Sequence, residues 1–224
     1  MNIDIGRAVT YPFEDRRWPT KVGVLLILGL IPGLNAIMWG GYSISVARNI
    51  VRGEQYPLPA WDNWSDIAVR GLLSIVATFI YYVPALLVSC CLSVIFPLVS
   101  GRSSGGLYTT VQCCSAAFFI GYTLLVYLLL NVGHARFAET DQFAGYFAFG
   151  ARFRDFQDNV QVFVTLLVFQ VILSLVVIVV GGLLAITCIG PILVLTLAAL
   201  TQGFMLGQAA TAIAARPNAR TRRA

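Results

Sequence analysis

The sequence predicts an all-α integral membrane protein. It would have four long transmembrane helices, an N-terminal broken helix or re-entrant hairpin, and short interfacial amphipathic helices. Three observations lead there. First, 58% of the 224 residues are hydrophobic and 11% are charged. A soluble domain carries about 25% charged residues, and a chain this poor in charge cannot cover a water-facing surface. Second, the charges are segregated. None occurs from Val22 to Ala47, Gly71 to Gly101, Ser103 to His134 (histidine neutral) or Asn159 to Ala215. Each block exceeds the roughly 20 apolar residues that span a bilayer. Third, the apolar runs are continuous and lack two-residue alternation. A helix satisfies its backbone polar groups internally in hydrocarbon, and a β-barrel would alternate.

The elements follow in order along one membrane domain. Residues 1–20 form an interfacial segment in which Tyr11, Phe13 and Trp18 sit among Glu14, Asp15, Arg16 and Arg17. Aromatic rings anchor at the water–lipid boundary while charges stay wet. Its early acids make a poor secretory signal. Pro19 suits the first turn of the next helix. Residues 21–52 are broken at Pro32-Gly33, giving either one kinked span or a hairpin. The first arm has about ten residues, nearer 15 Å than the 30 Å of the hydrocarbon core. Asn35 is placed to satisfy carbonyls freed at the break.

Residues 53–70 form a polar hinge. Arg48 and Arg52 lie one turn apart at the end of the preceding helix, where cations favour the helix dipole and lipid phosphates. Gly53 reads as the helix stop, Pro57 and Pro59 as extended chain, Asp62 as an N-cap, and Asp66 as a first-turn acid. Trp61, Trp64 and Ala68 share a helical face away from Asp62, Asp66 and Arg70, which predicts a short helix in the interface. Residues 71–133 hold a transmembrane pair, interrupted at Pro84 and joined by a Ser/Gly-rich loop around Arg102. Residues 134–159 predict a second interfacial helix. Tyr146, Phe149, Phe153, Phe156 and Val160 make an apolar stripe at helical spacing. Residues 160–215 hold the last pair, and 216–224 a basic tail.

Of the fifteen Lys and Arg residues, all but Arg102 fall on one side if the N-terminus, the hinge, the 134–159 segment and the C-terminus share it. The positive-inside rule makes that side cytoplasmic. An even number of crossings before the hinge is then required, which favours the hairpin. The expected interface anchors are Trp18, Arg48, Arg52, Trp61, Trp64, Arg70, Phe153 and Phe156. The net charge of +5 belongs to this flanking pattern, and no nucleic-acid partner is expected.

The runs YPFEDRRW, IPGLNAIMWGGY, ARNIVRGEQYPLPAWDNW and HARFAETDQF resemble the DUF4013 family of uncharacterised prokaryotic multi-pass membrane proteins. The most specific part is Leu58–Trp64 with Arg48, Asn49 and Gly53 upstream. The resemblance implies a helical membrane fold and a prokaryotic inner membrane, and no reaction.

No chemistry-bearing constellation appears. The single histidine, His134, excludes a multi-histidine metal site within one chain and reads as a helix-end contact to lipid headgroups. Cys90, Cys91, Cys113 and Cys114 lie about equally far from the outer loop. They read as small apolar packers, with a disulfide or soft-metal site as the sharper alternative. No enzyme activity, cofactor or metal is expected. No acid or base falls inside an expected span. The neutral polar residues Asn35, Gln112, Asn131, Gln161, Gln170 and Gln202 read as ties between helices. Pro32-Gly33 and Pro84 are the pointers to a cavity. Gly29 and Gly33, and Ala199, Gly203 and Gly207 at four-residue spacing, predict close helix packing, within the chain or with a second copy. The expected function is a non-enzymatic scaffold or accessory subunit of a membrane assembly, partnered by lipid, by itself or by other membrane subunits. The alternative is a channel or transporter for a neutral or lipid-like solute.

Overall fold

The computed structural model describes residues 4–100, 105–187 and 189–215, leaving aside the side chains of residues 93–100, 105–108, 151 and 152. Arg102, Cys188 and the basic tail with Arg216, Arg220, Arg222 and Arg223 lie outside the described residues, as does the Arg152 side chain. Among the described residues eight α-helices follow one another: α1 Ile5–Thr10, α2 Trp18–Gly29, α3 Leu34–Val51, α4 Trp64–Ser100, α5 Gly105–Thr140, α6 Phe149–Asp158, α7 Val160–Leu183 and α8 Gly190–Ala215. No strand occurs among the described residues. Four helices among the described residues, within α4, α5, α7 and α8, are long and apolar enough to cross a membrane.

The chain forms two compact units, one of residues 1–75 with 131–224 and one of residues 76–130. The first is built around α3 and α8. The middle of α3, from Gly41 to Ala47, is wholly buried, and α8 is buried along most of its length. The seam is made of small residues. A Cβ on Gly203 would stand 2.7 Å from the Ser43 carbonyl oxygen, and one on Gly207 would stand 3.0 Å from Ala47 Cα. The Ser43 hydroxyl donates across it to the Ala199 carbonyl at 2.7 Å. By contrast α7, the most apolar span, buries few residues, and Val168, Ile172, Leu175, Val179 and Leu183 are exposed. Lipid is as good a solvent as protein for such side chains, so apolarity alone does not send a membrane helix to the centre.

The break after α2 falls where the sequence put it, at Pro32-Gly33. Gly33 has φ 84° and nothing within 4 Å of its Cβ position, so its role is to turn the chain rather than to pack a helix. Gly29, at the end of α2, meets the Trp39 ring on the other arm. Lys21 Nζ donates to the Leu58 carbonyl at 2.6 Å and the Trp61 indole donates to the Lys21 carbonyl at 3.0 Å. The chain therefore doubles back, and the start of α2 is tied to the hinge that follows α3. Gly53 ends α3 at φ 74°, with the Glu54 N–H returning to the Asn49 carbonyl at 3.0 Å.

Three expectations are corrected. The hinge holds no separate interfacial helix. Trp61–Asn63 is a single 3-10 turn that includes Asp62, and α4 starts at Trp64 and runs without interruption to Ser100. The 134–159 segment is not one helix either. α5 continues to Thr140, Asp141 turns the chain at φ 59°, a 3-10 turn spans Phe143–Tyr146, and α6 is separate. The aromatic stripe is thereby split, with Tyr146 fully buried and Phe149 and Phe153 exposed. Finally, the N-terminal segment packs into protein. Tyr11 is 1% exposed, stacks on Phe204 with ring centres 4.6 Å apart, and donates to the Leu200 carbonyl at 3.0 Å. Gln208 of α8 accepts from the Asp4 N–H at 2.8 Å, and the Asp4 carboxylate caps α1.

The second unit holds the rest of α4 and α5. Proline at position 84 removes one helix donor, yet the helix continues. In the turn before it the Tyr81 carbonyl accepts from the Tyr122 hydroxyl at 2.6 Å, a polar tie between the helices beside the weakened turn. Cys90, Cys91, Cys113 and Cys114 are exposed thiols outside any disulfide, on helix surfaces rather than in packed seams.

Candidate functional site: a polar cavity among apolar helices

In the first unit a cavity of about 470 Å³ opens among α3, the start of α4, the end of α5, α7 and α8. Its polar groups come from helical spacing on five elements. Trp39 and Ser43 lie one turn apart on α3, Gln170 and Ser174 one turn apart on α7, and Gln202 stands on α8; Ser74 and His134 close the site from α4 and α5. Leu173, Val177, Ile178, Leu195, Ala198 and Leu206 complete the wall. No Asp, Glu, Lys or Arg lines it. At 1.5 Å per residue, Gln170 is about 15 Å above the start of α7 and Gln202 about 20 Å from the end of α8. The cavity therefore lies at mid-span depth.

Its hydrogen bonds are incomplete. The Trp39 indole nitrogen is buried with no acceptor among the described residues. The side-chain amides of Gln170 and Gln202 make no hydrogen bond among the described residues. Ser43 Oγ is used twice, toward the Trp39 and Ala199 carbonyls at 2.8 and 2.7 Å. Ser74 Oγ and His134 Nε2 are 2.8 Å apart, and the imidazole meets the Tyr146 ring edge-on at 5.3 Å. His134 is thus inside α5, six residues before its end, rather than at a helix terminus.

Below the cavity lies a charged groove of about 510 Å³, lined by Arg48, Asn49, Arg52, Glu54, Asp62, Asp66, Arg70 and Asp141 among others. Asp141 bridges α3 to α4. Arg48 pairs with it, and Arg70 Nε stands 3.4 Å from the same oxygen and donates through Nη1 to Ser45 Oγ at 3.2 Å. Burial works to raise the Asp141 pKa, but the Arg48 and Arg70 guanidiniums outweigh it and hold the carboxyl below the usual range. Asp15, 8% exposed, behaves alike. Burial opposes its charge, while Lys21 at 2.8 Å and the Arg17 backbone N–H prevail and lower its pKa.

The expected anchors divide. Arg52, Trp64 and Phe153 are exposed. Arg48 and Arg70 are drawn into the Asp141 bridge. Trp61 stacks at 5.3 Å on Tyr42, Phe156 lies 5.9 Å from Phe163, and Trp18 meets Phe13 edge-on. Ala199, Gly203 and Gly207 face α3, and Gly29 faces Trp39. Sequence reasoning missed the cavity. Gln170 and Gln202 were read as helix ties, and the signal that could have found it was the pair Gln170 and Ser174, one turn apart in the middle of α7.

This is an all-α protein of the multi-pass membrane class, with a polar cavity lined by no Asp, Glu, Lys or Arg between its helices. The chain belongs to the DUF4013 family, described as proteins of unknown function, whose family model matches residues 24–189. The matched stretch contains Trp39, Ser74, His134 and Gln170 and stops before Gln202. No curated protein and no solved structure matches the chain.

Proposed function

We propose that the protein is a non-enzymatic, membrane-embedded binding protein or carrier for a neutral or lipid-like solute. The observation that carries this reading is the cavity at mid-span depth lined by Gln170 and Gln202, whose side-chain amides make no hydrogen bond among the described residues. An unpaired amide N–H away from water costs several kcal/mol, so an occupant that completes these bonds stabilises the site. Asp, Glu, Lys and Arg are absent from the lining, which argues for a neutral occupant. The test is to purify the protein in mild detergent and extract its small molecules for mass spectrometry, beside a Gln170→Leu/Gln202→Leu variant. A neutral compound enriched with the wild type and depleted in the variant supports the reading. Identical extracts overturn it.

The reading places the protein in a prokaryotic inner membrane with both termini cytoplasmic. It is supported by the gathering of Arg48, Arg52 and Arg70 at one end of the first unit. A second reading, a scaffold or accessory subunit, is favoured by the exposed Phe149 and Phe153 of α6. It loses the support of the glycine stripe, because Gly203 and Gly207 are consumed by α3. Under that reading the partners are other membrane subunits or a second copy. Under both, lipid is a partner and nucleic acid is not.

A further inference from the structure

The charged groove is separate from the cavity and its charges are ordered. Ile37 stands opposite Gly71 and Gly41 opposite Ile67, so α3 and α4 run antiparallel through their crossing. The end of α3 and the start of α4 therefore leave the crossing in the same direction, and both wall the groove. At its inner end the guanidiniums of Arg48 and Arg70 converge on the single carboxylate of Asp141. Their side chains are 16% and 19% exposed, and Nη2 of Arg70 has no acceptor among the described residues. Two cations against one anion leave a positive excess there. One turn outward from Arg70 along α4 stands Asp66, and beyond it Asp62; one turn outward from Arg48 along α3 stands Arg52, followed by Glu54. Outward of the bridge, three carboxylates thus face one guanidinium. All four of these side chains are exposed and outside any ion pair among the described residues. Trp64, between the two aspartates at the start of a membrane-length helix, is 61% exposed. An exposed tryptophan at that place marks the headgroup level.

We propose that the groove binds a phosphoethanolamine group, with its phosphate against the Arg48–Arg70 pair and its primary ammonium among Asp62, Asp66 and Glu54. In a bilayer the phosphate of such a head lies deeper and the ammonium nearer water, which is the order of charge along the groove. The groove as a whole sets three guanidiniums against four carboxylates, so a purely anionic head gains nothing from it. A zwitterion meets both ends. A choline head carries the same two charges but has no N–H to donate to a carboxylate, and loses the charge-assisted hydrogen bonds. Because Trp64 sets the groove at headgroup level, the expected source is a membrane phospholipid. Free phosphoethanolamine has the same chemistry, and the test separates the two.

The experiment equilibrates the full chain in mild detergent with equimolar phosphatidylethanolamine, phosphatidylcholine and phosphatidylglycerol of identical acyl chains. Bound lipid is read by native mass spectrometry. Phosphatidylethanolamine should saturate as one adduct, preferred over the choline lipid by about three- to tenfold, the scale of a charge-assisted hydrogen bond at a partly exposed site. Asp62→Asn/Asp66→Asn should abolish that preference and leave phosphatidylglycerol binding equal or stronger. Both acids are exposed and unpaired among the described residues, so the double variant is expected to fold as the wild type does. Free phosphoethanolamine and free ethanolamine, added as competitors and alone in thermal unfolding, test the phosphate end and the source. Phosphoethanolamine should displace the lipid better than ethanolamine; equal displacement by the two overturns the proposal. A thermal midpoint raised by phosphoethanolamine without any lipid preference supports the groove's chemistry with a soluble source. A preference for phosphatidylethanolamine that survives in the double variant overturns the proposal. So does a wild-type preference for phosphatidylglycerol, or equal binding of all three lipids with no response to phosphoethanolamine. None of these outcomes bears on the cavity.

Discussion

Gly41 and Gly71 face each other where α3 crosses the start of α4. A Cβ on Gly41 would overlap the Ile67 carbonyl oxygen and stand 2.9 Å from the Gly71 nitrogen. One on Gly71 would overlap the Ile37 carbonyl and stand 2.9 Å from the Gly41 nitrogen. The obstructing atoms are backbone, which cannot swing aside. Gly41→Ala and Gly71→Ala should each destabilise by about 1–3 kcal/mol, toward the upper end. Gly121→Ala, at a helical position with open space around it, should be neutral or stabilising by up to about 1 kcal/mol. Thermal midpoints in detergent decide this; equal losses at all three positions would refute the crossing.

The Asp141 bridge makes stability depend on pH. Its carboxyl is held below the usual range, so its contribution is complete above the unfolded pKa of about 3.9. That contribution disappears as pH falls through the lower folded value. Asp15 adds a loss of the same sign. The thermal midpoint should hold from neutral pH to roughly pH 5 and fall below about pH 4. Asp141→Asn tolerates the left-handed turn at φ 59°. It should cost about 1 kcal/mol at neutral pH, a modest figure because the side chain is 42% exposed, and should shrink the acid-side fall. An unchanged acid-side fall would show that the bridge contributes nothing.

Tyr11 tests whether the N-terminal arm belongs to the core. Tyr11→Phe leaves the ring on Phe204 and removes the hydrogen bond to Leu200, a loss of about 1 kcal/mol. Tyr11→Ala opens a cavity at a buried site and should cost about 3–5 kcal/mol. Proteolysis should cut residues 5–17 faster in the second variant than in the first; equally slow cleavage in both would place the arm on the surface.

Lys21→Met removes the cation that joins Asp15 to the Leu58 carbonyl. The buried carboxylate then lacks its charged partner, at about 1–3 kcal/mol. Hydrogen exchange should quicken across residues 18–29 more than across α3. Uniform protection in both arms would mean that the hairpin is held by packing alone.

The Pro32-Gly33 break, the Gly53 stop and the four apolar spans were legible because each rests on a local property. These are a missing donor, a positive φ, and a length matched to a bilayer. The hinge was misjudged because a tryptophan-bearing amphipathic turn looks the same whether it ends or continues into the next helix. Nothing within residues 61–70 says that α4 goes on. Tyr11 was read as an interface anchor because aromatic rings suit both lipid boundaries and cores, and only Phe204, nearly two hundred residues away, distinguishes them.

By itself the sequence determined that this chain is a bundle of membrane helices with a reversed N-terminal segment, since hydrocarbon admits few ways to satisfy a backbone. Tertiary structure alone decided which faces meet. It turned the Gly203–Gly207 stripe onto α3, paired Gly41 with Gly71, and left Trp39, Gln170 and Gln202 around an open space. In lipid an apolar side chain gains little by moving inward. The arrangement is therefore set by close backbone approach and by hydrogen bonds between distant segments, which no local pattern records.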